Sequence, residues 1–222
     1  MEPTTTIHSQ PVSIGVGKAY INGELRVPKG STGLVLFAHG SGSSRFSPRN
    51  QYVSTQLNRA GLATLLFDLL TPEEEAEDIP SGHLRFNIRL LGDRLTAATD
   101  WVARNEETSQ LKLGLFGAST GAAAAVLTAV ERPNLIKALV SRGGRPDMAK
   151  AVIGDMNCPA LFIVGGNDDV VIYLNREAFN AIPAAVEKQL KIVPGASHLF
   201  EESGKLEEVA RLATDWFSSH LK

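Results

Sequence analysis

Short apolar runs rich in Val, Ile, Leu and Phe alternate along the chain with amphipathic or alanine-rich stretches. That alternation predicts an α/β fold: one open, mostly parallel sheet of about eight strands with helices on both faces. Residues 12–21 and 24–27 alternate apolar with small or polar side chains around Asn22-Gly23, which predicts an opening hairpin that turns at this dipeptide. Beyond the breaker Pro28-Lys29-Gly30-Ser31, residues 34–38 read as a buried strand ending at His39-Gly40. A helix over 48–60, closed by Gly61, and a strand over 63–67 follow. The acidic run 73–78, between Pro72 and Pro80, is expected as a solvated loop. Leu84, Ile88, Leu91, Leu95, Ala98 and Val102 then recur at helical spacing and predict one long helix over 83–105. Residues 111–116 predict a strand, and 122–130 a helix so free of charge that it must lie buried against the sheet. Strands over 138–140, 160–164 and 190–193, a helix over 173–182 and a closing amphipathic helix over 205–221 complete the pattern.

Composition narrows the function classes. No repeat, low-complexity tract or linker interrupts the 222 residues, so one domain over 1–222 is expected, with 1–11 flexible or loosely packed. Lys and Arg number 22 against 24 Asp and Glu, a net charge of −2, which leaves no polybasic field for nucleic acid or an anionic membrane. A single cysteine, Cys158, excludes an internal disulfide, and no Cys/His spacing suggests a metal site. The polar first ten residues lack a signal-peptide core and no later run is long enough to span a bilayer, so a cytoplasmic location is expected.

The chemistry concentrates at predicted strand ends, where open α/β sheets place their sites. Gly117-Ala118-Ser119-Thr120-Gly121 follows a strand and opens a helix, the context that gives a G-x-S-x-G pattern meaning. A one-residue turn from strand to helix strains Ser119 and projects its hydroxyl, while small flanking residues avoid collisions. A serine hydroxyl needs a base and an orienting acid to act as a nucleophile. Of five histidines, His198 in a loop after the last strand suits the base; His39 is expected to support the loop that follows it. The acid is expected after the strand ending at Val164, where Asp168 and Asp169 both stand. The register Gly165, Asp168, Val171 favours Asp168. For an oxyanion hole, the Thr120 N–H is expected to work with the Ser41 N–H from the small-residue loop His39-Gly40-Ser41-Gly42-Ser43-Ser44. Arg45 and Arg142 are candidate contacts for an anionic substrate, among the cluster Arg45, Arg49, Arg142 and Arg145; internal ion pairs with acids such as Asp68 or Asp147 are the competing reading.

Together, His39-Gly40-Ser41-Gly42, Gly117 to Gly121, Gly165-Gly166-Asn167-Asp168 and Gly195-Ala196-Ser197-His198 resemble the α/β-hydrolase superfamily, in particular its small dienelactone hydrolase-like members. The resemblance implies an α/β-hydrolase fold without a sizeable cap domain, and its chain order of serine, acid and histidine is met by Ser119, Asp168 and His198. It implies a carboxylic ester hydrolase that needs no cofactor and acts on small esters, thioesters or lactones. One departure stands out: well-known dienelactone hydrolases carry cysteine at the elbow, whereas this chain has Ser119 and places Cys158 elsewhere. A non-catalytic binding protein of the same fold, or a peptidase or acyltransferase using the same triad, are the alternatives. The expected partner is a small-molecule substrate, and self-association as a homodimer stays open.

Overall fold

A computed structural model describes residues 6–222. Eight strands form one sheet in the order β1-β2-β4-β3-β5-β6-β7-β8. They are β1 (Ile7–Val16), β2 (Ala19–Pro28), β3 (Gly33–Ala38), β4 (Ala63–Phe67), β5 (Lys112–Ala118), β6 (Ile136–Arg142), β7 (Ala160–Gly165) and β8 (Lys188–Val193). Strands β1 and β2 are antiparallel to their neighbours, and β3 to β8 run parallel. Alternate residues of each parallel strand face opposite layers, so each strand reads as a continuous apolar run. In β3, Leu34 and Leu36 face α3 (Ile88–Arg104) and α4 (Thr120–Glu131), whereas Val35 and Phe37 face α1 (Pro48–Arg59) and α6 (Lys205–Leu221). Helix α5 (Asp169–Ala181) covers the first of these faces beside β7 and β8.

Four local expectations are corrected. The hairpin turns at Gly17-Lys18, with Gly17 at φ +71°, and Asn22-Gly23 lies inside β2. Gly23 is there because β2 is clasped between β1 and β4: a Cβ would come within 3.0 Å of the Phe67 Cβ and 3.1 Å of the Leu66 carbonyl oxygen. The expected looseness of 1–11 fails for residues 7–11, which pair with 24–28; residues 1–5 lie outside the described residues. The acidic run is not a loop but a short helix, α2 (Pro72–Asp78). Thr71 accepts from the Glu74 N–H while the Glu74 carboxylate accepts from the Thr71 N–H, a capping box that places three acids on the helix's positive end. The long helix also begins later than expected, at Ile88, because Asn87 caps it and residues 84 and 85 give their backbone N–H groups to Asp78.

The order of strands positions the site. The chain leaves β3 towards β4 on one side, and leaves β5 towards β6 on the other. Their two following loops therefore part, leaving a crevice beyond the carboxyl ends of β3 and β5.

Candidate active site

Ser119 lies in that crevice at φ 50° and ψ −121°, a left-handed backbone state that a side-chain-bearing residue adopts only under constraint. The constraints are identifiable. Its N–H donates to the Arg142 carbonyl (3.3 Å), and its own carbonyl accepts from Ala122 (3.1 Å) and Arg145 (2.9 Å). A Cβ at Gly121 would run into the Ala38 carbonyl, so only glycine lets α4 approach β3 this closely. The half-buried serine hydroxyl opens onto a cavity of about 270 Å³ that it shares with His198.

His198 Nδ1 lies 2.7 Å from Asp168 Oδ2. Asp168 is the N-cap of α5, where its Oδ1 accepts from the Val171 N–H at 3.4 Å, so one carboxylate both starts the helix and meets the imidazole. Asp169 is the first helical residue and is exposed. The contact with a carboxylate assigns the proton to Nδ1 and leaves Nε2 as the acceptor. Ser119 and His198 face one cavity without a direct hydrogen bond, as is common before substrate tightens a site. Two supports of the His198 loop escaped the sequence reading. Glu202 accepts from the Ser197 N–H at 3.0 and 3.1 Å, and Phe200 is buried at φ 58°. Neither carries a spacing signal, because both roles arise from how the loop closes on itself.

His39 supports the loop that follows it, as expected. Its Nδ1 donates to the Gly40 carbonyl at 2.9 Å and its Nε2 accepts from the Leu69 N–H at 3.1 Å. Burial pushes its pKa below the usual histidine value, against the opposing pull of Gly40 and Asp68, so the neutral tautomer that both bonds need is favoured. Ser41 is corrected in one respect. Its N–H, expected free for an oxyanion, donates at 2.9 Å to the Thr120 hydroxyl oxygen. The Thr120 N–H, at the start of α4, has no intrahelical partner.

The candidate arginines part company. Arg45 is not among the residues that line the Ser119 cavity; Asp68 accepts its N–H at 2.8 Å and pairs with its guanidinium, which fits the ion-pair reading and not the substrate contact. Arg145 is likewise held by Asp147 at 2.8 Å. Arg142 lines the Ser119 cavity, 7% exposed, with no carboxylate partner among the described residues. Cys158 is buried before β7, at the opposite end of the sheet from Ser119, and burial pushes its thiol up to about 11. It has neither the place nor the ionisation of a nucleophile. No cluster of three metal-ligating side chains occurs among the described residues, and no helix there is long and apolar enough to cross a membrane.

A model of the dienelactone hydrolase family matches residues 22–221. The chain belongs to the dienelactone hydrolase family. A dienelactone hydrolase from Anabaena variabilis ATCC 29413 is 53% identical and superposes with a TM-score of 0.95, over 97% of this chain and 99% of that one. Est1E from Butyrivibrio proteoclasticus, 17% identical with a TM-score of 0.78 over 94% of this chain and 98% of its own, shares the α/β-hydrolase fold. A Mycobacterium tuberculosis (strain CDC 1551 / Oshkosh) protein named "Putative phosphoribosyl transferase" is 50% identical over 97% of this chain, which spans only 47% of that relative's length. Membership supports a hydrolase.

Proposed function

We propose that this hydrolase cleaves small esters, thioesters or lactones through an acyl-enzyme on Ser119. The observation that carries the reading is the 2.7 Å contact between Asp168 and His198, whose side chain lines the cavity that also receives the strained Ser119. His198 Nε2 takes the Ser119 proton as Oγ attacks the acyl carbonyl, and Asp168 stabilises the imidazolium that forms. The Thr120 N–H and the positive end of α4 meet the developing oxyanion. The Ser41 N–H joins them when the substrate oxygen displaces the Thr120 hydroxyl. His198 then returns its proton to the leaving group, and the bond from carbonyl carbon to leaving group breaks. Water attacks the acyl-enzyme with His198 again as base, releasing the acid and restoring Ser119.

A second cavity, of about 510 Å³, lies on the other side of the loop over 40–44 and is walled by Leu69, Leu70, Ile79 and Leu91. It suits the apolar part of a small substrate, with α2 as its outer wall. The test is turnover of a short p-nitrophenyl ester. Ser119→Ala is expected to lower kcat at least about a thousandfold, and near-parental turnover in that variant would remove the assignment.

A further inference from the structure

Two arginines line the Ser119 cavity: Arg142 has no carboxylate partner among the described residues, and Arg49 pairs only with an exposed one. Arg142 ends β6 directly beside Ala118. Its side chain makes one long hydrogen bond, 3.4 Å from Nη2 to Asn50 Oδ1, and its buried Nε has no acceptor. Asn50 belongs to the first turn of α1, which contains no acidic residue. Arg49 stands in that same turn; its Nη1 shares charge with the exposed Glu201 at 3.0 Å, and its buried Nε is also without an acceptor. The positive end of a twelve-residue helix and two guanidiniums are therefore gathered beside one cavity. The negative groups nearby are committed: Asp168 to His198 and Glu201 to Arg49. Burial, and secondly the charge of Arg49, push the Arg142 pKa down to about 10, as befits a buried cation without a carboxylate partner.

We infer that this cavity binds a phosphate monoester group carried by the substrate, with Arg142 and Arg49 as its specificity-determining residues. The inference rests on the hydrolase reading, because the phosphate is held intact while the ester carbonyl lies over Ser119. Charge and shape favour phosphate over carboxylate. One guanidinium fork satisfies a planar, singly charged carboxylate. A phosphate monoester presents three oxygens and up to two charges, which two guanidiniums from different elements can share with the Ser43 hydroxyl and the start of α1.

The probe is inorganic phosphate, tested as an inhibitor of neutral p-nitrophenyl ester hydrolysis by the full chain, with acetate and chloride at matched ionic strength. Phosphate is expected to compete with substrate at least about tenfold more strongly than acetate. Arg142→Met and Arg49→Met should each weaken that inhibition by about tenfold, and Arg142→Lys should retain part of it. Acetate inhibiting as strongly as phosphate, phosphate failing to compete, or undiminished inhibition in Arg142→Met would each overturn the inference. Should Arg142→Met not fold, Arg49→Met and the ion comparison on the parent protein still decide. The hydrolase reading fails separately, by absent ester turnover; calorimetric titration of phosphate then tests the subsite alone.

Discussion

The two cavities flanking the loop over 40–44 hold one arginine each in opposite states, Arg85 and Arg142. On the apolar side, the Arg85 guanidinium pairs with Asp78, which is 1% exposed and also accepts the Leu84 N–H at 2.6 Å. That arginine closes a structural knot joining the end of α2 to the approach to α3. On the Ser119 side, Arg142 is 7% exposed and has no carboxylate partner among the described residues. The same side chain is a strut where an acid meets it and a stored positive charge where none does. A buried charge without a partner lowers stability, so its presence beside Ser119 is the pattern of a site held ready for a ligand.

This contrast can be broken by substitution. The largest effect should fall on the committed acid of the Ser119 cavity. Asp168→Asn is expected to lower ester turnover about ten-thousandfold by losing the tautomer and charge that His198 needs, whereas the exposed Asp169→Asn should leave it within about twofold. Equal losses in the two variants, measured as kcat, would dissolve the assignment of roles within α5. Next in size is a pair of stability changes of opposite sign. Arg85→Met should lower Tm, since it strands the Asp78 carboxylate. Arg142→Met should stabilise by about 1–3 kcal/mol, because it removes an unpaired buried cation and keeps most of the volume. The sign follows from linkage. Arg142 holds its proton less tightly in the folded state, at about 10, than an ordinary arginine does, so its penalty is complete below about pH 10 and shrinks as pH rises through that value. Thermal unfolding at neutral pH reads both, and a fall in Tm for Arg142→Met would contradict the contrast.

The legible and illegible parts of the chain divide by how local their causes are. The elbow around Ser119 could be read because its glycines, its serine and the flanking strand and helix are contiguous. The register with Gly165 and Val171 singles out Asp168, and the structure adds that this residue meets His198 and caps α5. The capping box of Thr71 and Glu74 was present in the sequence too, but a run of acids between prolines reads first as solvated charge. Asn22-Gly23 misleads because its glycine answers to β4, whose Phe67 is 44 positions away and invisible to any turn rule. The arginines show the limit most plainly. Arg45 and Arg142 were equivalent candidates, and only the fold puts Asp68 against one and Ser119 beside the other. The Ser41 N–H fails as a free donor for the same reason, since its acceptor lies 79 residues on, in Thr120.

The central claim is that Ser119 is an activated nucleophile, and the most direct measurement is the intact mass of the folded protein after reaction with a fluorophosphonate. The account predicts one adduct, mapped by peptide sequencing to Ser119 and absent from Ser119→Ala. An unmodified protein, or an adduct on another residue, would contradict it.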